Sequence, residues 1–101
     1  MGKEIKIPFN KWSKSRLEDK VKCATSRNKG YGYPGDCFFV DNIEYELTLV
    51  IKLPLWFIAY ELFETEGCKT PDEFKQVWKD IHPRKGWVDE QEVWYHYFVE
   101  K

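Results

Sequence analysis

Hydrophobic and polar residues alternate in one long stretch of this chain and recur with helical spacing in another. Over residues 43–53, Leu47, Leu49 and Ile51 alternate with Thr48, Val50 and Lys52, which predicts a long strand with one strongly apolar face. Residues 37–40 predict a strand before it, and Asp41-Asn42 the tight turn that makes the two a hairpin. Phe74, Val77, Trp78 and Ile81 fall at i, i+3, i+4 and i+7, the stripe of an amphipathic helix. Thr70-Pro71-Asp72-Glu73 opens that helix with an N-cap, a proline in the first turn and a capping-box glutamate. Pro83 stops it, leaving His82 at its C-terminal end as a surface residue that complements the helix dipole.

The remaining elements follow weaker patterns. Ile5, Ile7 and Phe9 alternate with Lys6 and Pro8, the pattern of a short strand or an extended lead-in. Asn10 caps a predicted helix over residues 11–20, with Trp12, Arg16 and Leu17 near one face. Residues 21–27 suit a strand through Val21 and Thr25. Residues 28–36 hold three Gly and a Pro and read as a loop, either a mobile flap carrying Tyr31 and Tyr33 or a plain interstrand turn. No helix follows, so G-Y-G-Y is not a dinucleotide fingerprint. Past Pro54, Phe57, Ile58 and Leu62 predict a short helix that Gly67 ends, and residues 92–100 predict an aromatic closing strand.

At 101 residues the chain makes one domain, spanning 1–101, with a single core. Strands that follow one another through hairpins, with helices inserted at two points, predict an α+β fold. Its sheet curls into a small barrel, which protects the edges. Five Trp, six Tyr and seven Phe are a large aromatic share that fills a core first, and flat rings can also stack on a flat ligand in a pocket. Net charge is −1 but uneven: residues 1–35 carry +6 and residues 36–101 carry −7. The basic third favours an anionic partner such as RNA or a nucleotide, whereas the balanced total disfavours a dedicated polyanion binder.

Cys23, Cys37 and Cys68 cannot all pair and match no zinc or redox spacing, so they are expected as reduced thiols in a cytoplasmic protein. No apolar run suits a signal peptide or a membrane span. Three Asn and two Gln beside 33% charged residues fit a thermophilic source.

The candidate chemistry lies in Lys22-Cys23-Ala24-Thr25-Ser26-Arg27, which sets an amine, a hydroxyl and a guanidinium within six residues. A threonine hydroxyl becomes a nucleophile only when a base removes its proton, and a lysine serves as that base only in an apolar pocket. Thr25 and Arg27 project to one face of a strand. Lys22, an odd number of residues from both, belongs at a bend or at the strand mouth.

In order and spacing, Phe9 and Trp12, Lys22-x-x-Thr25-x-Arg27, Gly35-Asp36, Glu66-Gly67 and Thr70-Pro71-Asp72-Glu73-Phe74 resemble the ASCH domain family of the PUA-like superfamily. Trp78 and His96-Tyr97-Phe98 continue the resemblance over most of the chain. The family commonly has a glutamate where Thr25 stands; threonine there is similar to the branch that deacetylates N(4)-acetylcytidine. That resemblance implies a PUA-like mixed barrel, curled or closed, with two to three helices. It also implies an amidohydrolase whose catalytic groups are Lys22 as base, Thr25 as nucleophile or water-orienting hydroxyl, and Glu66 as carboxylate partner. Arg27 is the substrate clamp, Tyr31 and Tyr33 are substrate contacts, and Glu64 is the fallback for Glu66. No metal or organic cofactor is implied; the partner is a small nucleoside, with RNA the rival. The family's glycine near the lysine is Lys20 or Val21 here. The rival reading is a non-catalytic RNA-binding module that seats a base in the same cleft, and a weaker third is a protein-interaction domain.

Overall fold

The computed structural model describes residues 2–101. In chain order it contains α1 (Lys11–Glu18), β1 (Ala24–Arg27), β2 (Cys37–Val40), β3 (Ile43–Pro54), α2 (Leu55–Glu61), α3 (Pro71–Ile81) and β4 (Glu92–Glu100). The strands form one antiparallel sheet in the order β1-β4-β3-β2. The first and last strands are therefore neighbours, and β1 is an edge. A bulge between Leu47 and Leu49 bends β3 against β4, and the sheet curls into a half-barrel. The fold is the expected small α+β type with three helices. Its mixed character rests on one parallel bridge, Glu4 to Cys37. The alternating residues 5–9 otherwise stay extended outside the sheet, and Pro8 brings no N–H to a ladder. No helix among the described residues is long and apolar enough to cross a membrane.

Alternation along β4 feeds two cores. Val93 and Tyr95 face Leu55, Ile58 and Ala59 of α2 and Phe74 and Trp78 of α3. Phe98 faces the other way, into the curl, where its ring meets Phe38 and Tyr45 edge-on and packs with Leu47. His96 shares that inner side, is completely buried, and is the one polar residue of β4 placed so deep.

Local chemistry sets the element ends. Asn10 Oδ1 accepts from the Ser13 N–H at 2.8 Å and starts α1. The helix stops at Glu18 rather than near residue 20, because the N–H groups of Lys20 and Val21 turn back to the Leu17 and Arg16 carbonyls. That closure needs a left-handed residue, and Lys20 supplies it at φ +62° where the resemblance leads one to expect glycine. Lys20→Gly removes the strain and raises the Tm by about 4 °C in a thermal melt. A fall in Tm would show that the lost Lys20–Glu100 ion pair, 2.5 Å long, outweighs the strain.

Pro54 ends β3, and the carbonyls of Gln91 and Asp89 accept from the first N–H groups of α2. This helix ends at Glu61, six residues before Gly67. The backbone continues in tight turns because the Thr65 carbonyl is taken by the N–H groups of Cys23 and Ala24, at 2.7 and 2.8 Å. Thr70 Oγ1 caps α3 as expected, accepting from Glu73 N–H at 3.0 Å. The Glu73 carboxylate reaches one residue further back than a capping box requires, to Lys69 N–H at 2.6 Å, and also holds Arg16 at 3.1 Å.

Candidate active site

As an edge strand, β1 presents both of its faces and its outer margin to one cleft. Its register with β4 sets Thr25 opposite His96 and Arg27 opposite Trp94. Lys22 and Ser26, four residues apart, share the opposite side, where both reach Glu66. Lys22 precedes the strand proper and joins the fold through a lone antiparallel bridge to Glu66. The odd spacing from Thr25 thus resolves as two polar pairs straddling one edge.

The first pair is buried. Lys22 Nζ lies 3.2 Å from both Glu66 Oε1 and the Glu66 carbonyl, and the two side chains are only 3% and 5% exposed. Ser26 Oγ donates to the other carboxylate oxygen at 2.6 Å, so both oxygens of Glu66 are fixed. The Trp12 ring stands 5.9 Å from the ammonium. Gly67 makes this approach possible: it has φ +88°, and a Cβ there would come within 3.0 Å of the Arg16 Cβ and 3.1 Å of the Lys22 Cβ.

The second pair is Thr25 and Arg27. Arg27 Nε donates to Thr25 Oγ1 at 3.0 Å, and its guanidinium lies 5.0 Å above the Phe9 ring. Burial pushes the Arg27 pKa down from its ordinary value. Behind Thr25, His96 ties three segments together. Its Nε2 accepts from the Tyr31 N–H at 3.0 Å, so the proton sits on Nδ1, which donates to the Thr25 carbonyl at 3.1 Å. Burial pushes the His96 pKa below the usual imidazole value.

An unfolded histidine takes up its proton near pH ~6.5, while folded His96 resists it. Its contribution to stability is therefore complete above about pH 6.5 and declines as pH falls below, with a slope of at most about 1.4 kcal/mol per pH unit for one proton. Urea midpoints measured from pH 7.5 down to 5 will show this decline in the wild type. His96→Gln, lower throughout, will lack that component, and an identical pH profile in the variant would remove His96 as its source.

The cleft that receives both pairs has a volume of about 680 Å³, within the range of small-molecule sites. Its polar floor is Lys22, Thr25, Ser26, Arg27 and Glu66, and Phe9, Trp12, Tyr31, Phe74, Trp78 and His82 line it with rings. His82 is not the simple surface residue expected at a helix end. Its ring stacks on Trp78 at 4.1 Å and forms part of the cleft.

Of the sequence-predicted site residues, Lys22, Thr25, Arg27, Tyr31 and Glu66 line this one cleft. Tyr33 and Glu64 do not. Tyr33 is 74% exposed because Asp36 Oδ2 binds its N–H in the Pro34-Gly35 turn, leaving the ring in solvent. Glu64 is exposed on the outside of the turn whose inner side presents Glu66. Sequence reasoning passed over Ser26 and His96. Ser26 was open to discovery, since period two places it with Lys22. His96 enters the resemblance only as part of the closing strand; its bracing role has no local signal, because its partners lie 65 and 71 residues away.

No protein-family model matches the sequence, and no curated protein matches it. Among solved structures, a high-resolution crystal structure of an ASCH domain from Lactobacillus crispatus JV V101 is similar over 97% of this chain and 78% of its own. The TM-score is 0.69 at 11% sequence identity, a likeness of fold.

Proposed function

We propose that this chain, which has the fold of an ASCH domain, hydrolyses the amide of an acylated pyrimidine nucleoside, with N(4)-acetylcytidine as the substrate to test first. One observation carries the reading: Lys22, Thr25, Ser26 and Glu66, each less than a tenth exposed, converge with Arg27 on a single aromatic-walled cleft. Burying so many polar groups together is costly, and a core alone has no use for them. The flat walls suit a stacked base.

In this scheme Thr25 Oγ adds to the acyl carbon as its proton passes through cleft water to Lys22 across the β1 edge, and the carbonyl π pair moves onto oxygen. When that pair returns, the C–N bond breaks and Lys22 delivers the proton to the departing exocyclic nitrogen. Water then cleaves the threonine ester, releasing the carboxylate and restoring the hydroxyl. Glu66 orients the Lys22 amine along their 3.2 Å bond.

The RNA-binding rival rests on the basic first third, yet Lys14, Arg16, Lys20 and Lys22 each have a carboxylate partner. Incubation with N(4)-acetylcytidine, followed chromatographically, will release cytidine and acetate in equal amounts. A folded protein that releases none overturns the hydrolase reading. Oligonucleotide affinity that falls steeply with salt would then establish the rival.

A further inference from the structure

The two cations of the cleft floor are treated differently by the fold. Lys22 has its carboxylate in Glu66, whereas Arg27 has no acidic partner among the described residues. Only Nε of Arg27 is used, on Thr25 Oγ1. Its terminal amino groups meet no protein acceptor among the described residues, and the side chain lines the cleft. Holding a half-buried guanidinium against Phe9 without a counter-charge is unfavourable, and burial lowers the Arg27 pKa as well. The charged side chains around the cleft are Lys22, Arg27, Lys29 and Glu66, so its field is positive. The one acid is already engaged by Lys22 and Ser26.

The hydroxyl completes the pattern. Because Thr25 Oγ1 accepts from Arg27, its own proton is free to be donated, and it stands beside a terminal N–H of the same guanidinium edge. The Thr25 O–H and the free terminal N–H of Arg27 are two neighbouring donors, one of them charged, for two oxygens on one carbon. We propose that Thr25 and Arg27 form a subsite for a small carboxylate, one oxygen accepting from the Thr25 hydroxyl and the other from the Arg27 amino group. Resting on the hydrolase reading, this deepens it: the subsite holds the acyl half of the substrate and its acid product. When Thr25 Oγ is bonded to the acyl carbon, the oxyanion of that adduct occupies the second oxygen position, where Arg27 stabilises it. The base then extends across the β1 edge toward Glu66 and Trp12.

The probe is sodium acetate, titrated at constant ionic strength maintained with sodium chloride. Chemical shifts of the Thr25 amide and the Arg27 side-chain N–H are read by NMR. Wild-type protein will show saturable shifts centred on these two residues. Arg27→Gln, which keeps an N–H donor but loses charge and fork, will bind acetate about tenfold or more weaker, its spectrum otherwise that of a folded protein. Lys79→Gln, exposed and outside the cleft lining, will stay within about twofold of wild type. Equal acetate affinity in Arg27→Gln overturns the proposal, as do non-saturating shifts spread over surface lysines. If Arg27→Gln fails to fold, the location and saturation of the wild-type shifts decide alone. Saturable acetate binding without cytidine release overturns the hydrolase reading and leaves the subsite standing; cytidine release without saturable acetate binding overturns the subsite alone.

Discussion

Glu66→Ala will lower the free energy of unfolding by about 3–5 kcal/mol, a large part of what a domain this size possesses. The loss comes from the lysine left behind rather than from the bond itself. Lys22, 3% exposed, would keep a charge with one backbone carbonyl as its sole acceptor, and Ser26 Oγ would lose its partner. Replacing both members with apolar residues of similar volume, Lys22→Met with Glu66→Leu, removes the stranded charge and will recover most of the stability. Urea denaturation of the two variants measures the difference. A loss below about 1 kcal/mol in Glu66→Ala would place the pair in water instead of in the fold. The double variant will also be folded and release no cytidine, which separates the chemical role of the pair from its structural one.

Thr25→Ala will reduce kcat/KM for N(4)-acetylcytidine by about 10³-fold or more while costing only about 1 kcal/mol of stability. The small structural cost follows from the position of Arg27: deprived of the hydroxyl, its Nε turns to the open cleft, where water replaces the lost acceptor. Thr25→Ser, which keeps an oxygen in place, will retain measurable turnover. Cytidine release and urea midpoints on the same preparations test both halves of the statement. Turnover within tenfold of wild type in the alanine variant would remove Thr25 as nucleophile.

How far the sequence discloses this molecule depends on the range of the interactions. The β2–β3 hairpin and α3 are written locally, in alternation, in a two-residue turn whose Asp41 and Asn42 both have positive φ, and in the Thr70 cap; they fall where the pattern puts them. The end of α2 is written elsewhere, in the N–H groups of Cys23 and Ala24 that claim the Thr65 carbonyl. The site divides in the same way. Thr25 and Arg27 share a strand face by period two, while the side of the turn that Glu66 and Glu64 occupy is decided by Gly67 packing on Arg16 and Lys22. The exposure of Tyr33 follows from Asp36, whose carboxylate fixes the turn from within.

The pairing of β1 with β4 gives the cleft a history as well as a shape. Residues 24–27 lie against residues 94–97, so the strand that bears Thr25 and Arg27 has no sheet to join until β4 exists. Such distant contacts form late and slowly compared with the helices and the hairpin. During synthesis the Thr25–Arg27 pair and its His96 brace can be assembled only after β4 has left the ribosome. A partly made chain, however much of its helix and hairpin has formed, has no cleft.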